Sequence, residues 1–469
     1  MARLCSRLEE VIAVKLPVWS RIGAAILRVR RTRQWAAVAV FVVVLAGGCD
    51  RPTRLGVPRQ TEVTLVGDTV KWTTTEATLG SVRFGIRPAS YRSVAYPPAA
   101  SRGDKSFTRD HRVVLLTVAV GDTIYLEALD ESANGALAIS SEFRFVMTSR
   151  AAPRPILTWT MIDVGFGDAH LLTMPGSHER ILIDAGERRD WPNVDLYLKG
   201  AGVQRLDAVI ATHIHEDHIG GMVGDYSDPN DGVLGQYEIG AFLDSPDHSA
   251  ARSAYDELLA LISTRGIPRK VVSAGETDRT DPALAWDPEV GVTVLNAGYG
   301  HSIGGASESD WINNDSIVLH IAYGDVGFML GGDAGIPVES RILALHVPLE
   351  SEVLKIHHHG HVNATDPTYL GAVNPRVGLI PMTVYESNSG TLPSPTVIGY
   401  LQQRDIDVFG SDRAEPLGIM LTGSTGINVT VVTDGRSYEV HVEPSQSRHY
   451  PGGVSLLNGG GSQRQGGSR

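Results

Sequence analysis

Short runs of alternating apolar and polar residues fill the chain from residue 61 to about 150. Six such runs, separated by Gly, Asp, Asn or Pro, predict short β-strands at the spacing typical of a β-sandwich. They read EVTLVG, TVKWTT, SVRFGI, HRVVLLTV, TIYLEALD and EFRFVMT. Over 155–442 the pattern changes, because strand-like apolar runs alternate with helical ones such as 248–266, in which Ala254 and Leu258 share a helix face. We expect a small all-β domain over 61–150 and a larger α/β domain over 155–442.

The two ends of the chain differ from both domains. Arginines at 28–33 precede an apolar run of about 11 residues, the length of a signal-peptide core and shorter than the roughly 20 residues of a membrane span. The run ends in Leu-Ala-Gly-Gly-Cys, which resembles a bacterial lipobox with Cys49 as the lipidated residue. We expect a lipoprotein-type leader over 1–49, a linker over 50–60 and a disordered Gly- and Ser-rich tail over 443–469. An ordinary cleaved signal peptide or an N-terminal anchor is the alternative, and the long stretch before the arginines leaves the true start open.

The charge balance argues against general affinity for nucleic acid. The chain carries a formal charge of −12, and residues 1–49 hold eight Lys or Arg against two Glu, so the remainder carries −18. Such a surface gives no general electrostatic attraction to DNA or RNA. The only cysteines are Cys5 and Cys49, so a metal in either domain would have to be held by His, Asp, Glu or Asn.

The strongest chemical signal is the string Thr-His-Ile-His-Glu-Asp-His, which begins at Thr212 and follows the apolar run LDAVIA. A buried strand would therefore deliver three imidazoles and a carboxylate into one tight turn. Imidazole nitrogens and carboxylate oxygens suit zinc and similar divalent ions. The spacing lets His213 and His215 face one ion while Asp217 and His218 face a second. A solvated polar turn is the alternative interpretation.

His-x-His-x-Asp-His after a buried strand resembles the signature of the metallo-beta-lactamase superfamily, and the resemblance covers most of 155–442. Further strings are similar to its ComEC-type branch, the C-terminal hydrolase domain of competence proteins: MIDVGFGDAHLL, ILIDAG, NNDSIVLHIAYGDVGFMLGGDAG and EVLKIHHHGH. Phe166 stands where that branch usually has Gln, and Leu392 where it has His. The resemblance implies an αββα sandwich, two mixed sheets flanked by helices, and the strands of 61–150 resemble a fibronectin type III module.

The resemblance also implies a set of metal ligands. These are His213, His215, Asp217, His218, Asp333 as the bridging carboxylate and His358 as the last ligand.

The third ligand of the first ion stays open. We favour Asn313, with His301 as the alternative from a nearby loop. His359 is a further possible site residue. His361, which replaces the usual Ser, is either a proton donor or an inert exposed side chain.

A two-metal site of this kind implies hydrolysis by an activated water, with Asp217 and Asp333 as the catalytic carboxylates. We expect two divalent ions, zinc or alternatively manganese. The leading hypothesis is a phosphodiesterase, nuclease-like or acting on the cell envelope. A lactone, amide or ester hydrolase and a non-catalytic surface-binding protein are the alternatives. We expect an exported, membrane-anchored lipoprotein on the periplasmic or outer side of a bacterial membrane, alternatively a secreted protein, whose β-sandwich binds an envelope or protein ligand.

Overall fold

The computed structural model describes two β-sheets with helices on their outer faces. The described residues are 58–97, 107–133, 135–224, 228, 230–246, 253–300, 307–381, 385–387, 390–411 and 427–444. The leader over 1–49 with Cys49, nearly all of the 50–60 linker, His301 and almost the whole 443–469 tail lie outside them.

The first sheet runs in the order β13-β12-β11-β10-β9-β8-β22-β23-β3-β2-β5-β6, with β1 and β4 paired to β2 and β7 paired to β5. Its strands are β1 Thr64–Val66, β2 Thr69–Gly85, β3 Ser93–Ala95, β4 Thr108–Val114, β5 Thr123–Ser132, β6 Leu137–Ile139, β7 Phe143–Val146, β8 Leu157–Met161, β9 Ala169–Thr173, β10 Arg180–Ala185, β11 Arg205–Ile210, β12 Glu238–Asp244, β13 Arg269–Val271, β22 Ile427–Thr433 and β23 Tyr438–Pro444.

The second sheet runs in the order β14-β15-β16-β17-β18-β21, with its last four strands parallel. Its strands are β14 Val290–Asn296, β15 Val318–Tyr323, β16 Val326–Leu330, β17 Val353–Lys355, β18 Val377–Ile380 and β21 Asp407–Gly410. A separate hairpin consists of β19 Tyr385–Ser387 and β20 Gly390–Leu392.

Eight α-helices are found among the described residues, with three short 3-10 segments. The helices are α1 Trp191–Gly200, α2 Glu216–Val223, α3 Val233–Gln236, α4 Ser253–Arg265, α5 Glu308–Asn314, α6 Ile336–Leu343, α7 Pro367–Val373 and α8 Pro395–Gln402. The 3-10 segments are Arg188–Asp190, Pro282–Leu284 and His357–Gly360. Within the described part of the chain, no helix combines the length and apolar character that a membrane crossing requires.

The core consists of stacked layers. One cluster lies between the sheets and joins Trp159 and Ile183 of the first to Phe328 of the second. A second cluster packs α1, α2 and α4 on the outer face of the first sheet, and a third packs α6, α7 and α8 on the outer face of the second. Strands such as β10 and β16 are buried along nearly their whole length, as expected for strands covered on both faces. The expected αββα sandwich is confirmed.

The N-terminal strands form their own apolar core, built around Trp72 and Phe84. The two predicted strands TVKWTT and SVRFGI belong to one strand of 17 residues, β2, which carries an irregularity between Thr73 and Thr78 rather than a turn. Strand β3 pairs with β23, so the sheet continues from this region into the α/β region. The fibronectin type III resemblance of this region stays a prediction.

Candidate metal centre

The histidine-rich string folds as a strand end, a turn and a helix start. β11 ends at Ile210 and α2 begins at Glu216, so the imidazoles fall in and beside the turn. Asp217 lies in the first turn of α2, where a carboxylate interacts favourably with the positive end of the helix dipole. The side chains of His213 and His218 have no solvent exposure. The local structure predicted from the string is therefore present.

Asp184, at the end of β10, holds this turn in place. Its Oδ1 accepts a hydrogen bond from the Thr212 backbone N–H at 2.8 Å, and its Oδ2 accepts one from the Thr212 hydroxyl at 2.7 Å. The Nδ1 atom of His218 also lies 2.8 Å from Asp184 Oδ2. Since a carboxylate accepts, Nδ1 carries a proton, and Nε2 is the ring nitrogen that a metal ion would bind by displacing any proton held there. This is the arrangement by which carboxylates orient metal-binding histidines.

Four side chains from three parts of the chain converge at one point. Their ligand atoms all lie within 4.8 Å of one another, and they are Asp217, His218, Asp333 and His359. His218 Nε2 is 3.3 Å from Asp333 Oδ2 and 3.7 Å from Asp217 Oδ2. His359 Nε2 is 3.5 Å from both carboxylates. The structure thus brings the helix start, the end of β16 and the turn after β17 to one point.

The chemistry of these four donors fits a divalent ion. The Nε2 atoms of His218 and His359 are buried and have no hydrogen-bond partner. Two ligands about 2.1 Å from a tetrahedral ion are separated by about 3.4 Å, and the nitrogen-to-oxygen distances in this group are 3.3 to 3.7 Å. The group is therefore a candidate metal site.

Three further imidazoles lie beside this group: His213, whose ring centre is 4.1 Å from that of His218, its neighbour His215, and His358. His213 Nε2 is 3.0 Å from His215 Nδ1. His358 Nε2 is 3.8 Å from Asp333 Oδ2 and 3.4 Å from the Asn313 side-chain nitrogen. Asp333 Oδ2 thus lies between the first group and His358, which agrees with a bridging carboxylate. Asn313 also presents a buried side-chain oxygen without a hydrogen-bond partner.

The structure changes the expectation for the last ligand. The sequence pointed to His358, but it is His359 whose Nε2 joins Asp217, while His358 faces Asn313. Both residues adopt left-handed backbone angles, with φ of 49° and 51°, and this turn sends the adjacent imidazoles in different directions. His359 is therefore the better candidate for the second ion, and His358 for the first.

The exposed side of the site carries His361. Its Nδ1 lies 2.7 Å from Asn363 Oδ1, which is also 2.8 Å from His358 Nδ1, and the two imidazole rings stack at 4.7 Å. Phe166, which replaces the usual Gln, packs its ring 5.1 Å from that of His359. An apolar ring thus occupies a position where the ComEC-type branch has an amide.

Burial and neighbouring charges set the protonation states. Burial alone would raise the pKa of Asp333, but the imidazoles of His359 and His218 hold it well below its usual range. Burial likewise works against the charged form of His218, yet Asp333 and Asp217 raise its pKa well above the ordinary value. Burial holds the pKa of His213 well below its ordinary value. Asp333 is thus a carboxylate and His213 a neutral imidazole, the forms that bind metals.

Sequence reasoning missed three buried residues of the site. Asp184 lies within the string ILIDAG, next to the last residue of β10, Asp168 immediately precedes β9, and Lys355 is the last residue of β17. A charged residue at the boundary of a buried strand was the available signal. Lys355 Nζ lies 2.6 Å from Asp168 Oδ2 and 3.4 Å from Asp333 Oδ1. Asp168 and Asp333 raise the pKa of this lysine although burial opposes its charge.

Comparison with known proteins agrees with this geometry. Residues 162–382 match the metallo-beta-lactamase superfamily. The chain carries a metallo-beta-lactamase superfamily domain. Members of this superfamily are generally metal-dependent hydrolases, and this domain carries a candidate metal-binding cluster.

The metallo-beta-lactamase domain has relatives of known sequence and structure. The chain is 23% identical over 269 residues to ComE operon protein 3 of Bacillus subtilis (strain 168), a match that covers 54% of this chain and 31% of that protein. Solved structures similar to it include the metallo-beta-lactamase GOB-18 from Elizabethkingia meningoseptica, with 12% identity, a TM-score of 0.27 and coverage of 44% of this chain and 82% of that one. A Cronobacter sakazakii metallo-beta-lactamase with a HARLDQ motif has 15% identity, a TM-score of 0.23 and coverage of 45% and 69%.

Proposed function

We propose that this chain is an exported metal-dependent phosphodiesterase. The observation that carries the proposal is the buried group Asp217, His218, Asp333 and His359, whose donor atoms converge at distances suited to a shared ion. The similarity to ComE operon protein 3 and the ComEC-type strings around the site favour phosphodiester substrates over beta-lactams. The chain spans about a third of that relative, so the substrate class is part of this proposal.

In this proposal some residues of the site bind the ions and others contact the substrate. Two divalent ions, zinc or manganese, would lower the pKa of a shared water to about 7 and polarise a phosphoryl oxygen. Asp333 Oδ2 lies 3.3 Å from His218 Nε2 and 3.8 Å from His358 Nε2, so this carboxylate would contact both ions. His358 has 19% of its side chain exposed and His361 is half-buried, so a phosphoryl group approaches from this face. Asn313 offers an amide on the same side.

The proton for the leaving group comes from His361 in this proposal. Asp217, one of the two expected catalytic carboxylates, does not fit this role: burial would raise its pKa, but the imidazole of His218 lowers it. A group held as a carboxylate is a metal ligand rather than a proton donor. His361 lies on the exposed face and its Nδ1 is engaged by Asn363, so its Nε2 is the ring nitrogen that can face a substrate.

The location of the enzyme is a further part of the proposal. The lipobox-like sequence at Cys49 would attach the protein to a membrane outside the cytoplasm, where phosphodiesters of envelope polymers or of extracellular nucleic acid are available. The β-strands of 61–150 would then contact an envelope or protein ligand. The acidic surface predicts weak general binding to nucleic acid, so the active site itself would select the substrate.

The proposal is tested by hydrolysis of bis(p-nitrophenyl) phosphate with zinc or manganese added to residues 50–469. We expect metal-dependent turnover that falls at least 100-fold in Asp217→Ala and Asp333→Ala. Asp256→Ala, on the exposed face of α4, is the matched control and should retain wild-type turnover.

The other outcomes separate the alternatives. About two bound ions with turnover of nitrocefin or of a lactone, but not of the phosphodiester, would replace the phosphodiesterase by a different hydrolase. Metal-free protein after purification and dialysis against zinc would favour a binding protein with an inactive hydrolase fold.

A further inference from the structure

Lys355 is a charged side chain buried at the centre of the hydrolase domain. It is the last residue of β17 and has no solvent exposure. The space around it is lined by Ile183, Leu319 and Leu330, which belong to both sheets. An unpaired charge in such surroundings is strongly destabilising, so the ammonium group needs partners of opposite charge.

The ammonium group joins two carboxylates and a backbone carbonyl. Its Nζ lies 2.6 Å from Asp168 Oδ2 and 3.4 Å from Asp333 Oδ1. It also donates to the carbonyl of Gly332 at 2.5 Å, next to Asp333 in the chain. The lysine therefore holds the candidate bridging carboxylate both directly and through its backbone.

A second group in the site has the composition of a metal site but already contains a cation. Asp168, Asp184 and His218 bring ligand atoms within 4.8 Å of one another. The Nδ1 of His218 is engaged by Asp184, however, and the Lys355 ammonium lies within 2.6 Å of Asp168. The Lys355 ammonium therefore supplies the positive charge that a metal ion would otherwise bring to this group.

We propose that Lys355 is a positioning residue that acts as a built-in cation. Its ammonium neutralises Asp168, excludes a metal ion from the Asp168, Asp184 and His218 group, and fixes Asp333 toward the neighbouring metal group. Divalent ions are thereby confined to the side of Asp333 that faces the imidazoles. This inference goes beyond the proposed substrate and depends only on metal binding.

The first test uses a double-mutant cycle on metal-free full-length protein. Lys355→Met keeps the apolar stem and removes the charge, and Asp168→Asn removes its partner. We expect each single variant to melt several degrees below wild type and the double variant to melt above both, because the unpaired charge is gone. If the two losses simply add, the ammonium is not paired with Asp168 and the proposal fails.

The second test measures zinc binding, which a purely structural role would not change in this pattern. Zinc should raise the Tm of Lys355→Met by more than that of wild type, since a divalent ion replaces the lost charge. In Asp168→Asn the Lys355 ammonium keeps only Asp333 of its two carboxylate contacts and competes with zinc for it. Zinc affinity, measured by competition with a chromophoric chelator, should therefore fall at least 10-fold. Wild-type affinity in Asp168→Asn would overturn the proposal even if Lys355→Met does not fold, and neither readout depends on phosphodiesterase activity.

Discussion

Replacing Asp184 by Asn should weaken metal binding without removing any metal ligand. In the wild-type protein, Asp184 Oδ2 accepts from the Thr212 hydroxyl and lies 2.8 Å from His218 Nδ1. An Asn amide can keep its oxygen on the Thr212 backbone N–H, which places the NH2 group opposite His218. Nδ1 must then accept, so the proton of His218 moves to Nε2, the atom that faces Asp333.

The size of the effect follows from that change of tautomer. Loss of a carboxylate that orients a metal-binding histidine typically reduces metal affinity 10- to 100-fold, or about 1.4 to 2.8 kcal/mol. We expect Asp184→Asn near the upper end, since the new amide favours the wrong tautomer and removes a charge that balances the bound ion. Turnover at limiting zinc should fall in parallel and recover in part at high zinc.

The assay is competition for zinc with a chromophoric chelator, with thermal unfolding as the check on folding. Asp256→Asn makes the same chemical change on the exposed face of α4 and should bind zinc as wild type does. A folded Asp184→Asn protein with wild-type zinc affinity would refute the tautomer argument.

Three further predictions concern separate parts of the chain. His359→Ala should remove the second bound ion and abolish turnover, whereas His358→Ala should keep the second ion and reduce turnover less. Metal analysis of the two variants distinguishes them. Loss of the second ion in His358→Ala instead would favour His358 as its ligand, as the sequence predicted. Asp287→Ala should lower the free energy of unfolding by about 2 kcal/mol at pH 7, because Asp287 accepts from three backbone N–H groups, including that of Ser177 at 2.7 Å. Burial alone would raise the pKa of Asp287, but these bonds lower it, so its contribution is full above about pH 4 and is lost as the pH falls further; urea unfolding at pH 7 and pH 3 should show the difference between variant and wild type shrinking in acid. Cys49→Ala should shift the protein expressed in bacteria from the detergent phase to the aqueous phase in a detergent partition, and an unchanged distribution would argue against lipidation.

The fold of the hydrolase domain was predictable from the sequence because its signals are local. Buried strands appear as apolar runs, and the turn after LDAVIA carries ligand-type residues at a fixed spacing. The long strand β2 was not predictable in the same way. Its middle is rich in Thr and suggests a turn, but pairing with β5 over residues 78–85 keeps it extended. Pairing with a strand that is distant in the sequence therefore determined the length of β2.

The sequence predicted which types of residue form the site, but not the direction in which each side chain points. The left-handed turn directs the imidazole of His359 at Asp217 and that of His358 at Asn313. A pattern of consecutive histidines contains no information about these directions. Lys355 was not predicted for a different reason, since a single lysine at the end of an apolar strand ordinarily has an exposed side chain. Only the approach of Asp168 from the opposite sheet makes it part of the site.

The turn that presents these two histidines is maintained from outside the candidate metal groups. Two successive non-glycine residues in the left-handed region cost about 1 to 3 kcal/mol each and persist only where the surroundings enforce them. His357 Nδ1 lies 2.9 Å from the fully buried Glu339 on α6, and Glu339 also accepts from the backbone N–H groups of Thr365 and Asp366 at 2.7 and 2.8 Å. One carboxylate thus ties both sides of the turn to α6. Together with the contact between Asp184 and His218, this means that buried carboxylates outside the histidine motifs orient the candidate metal-binding nitrogens.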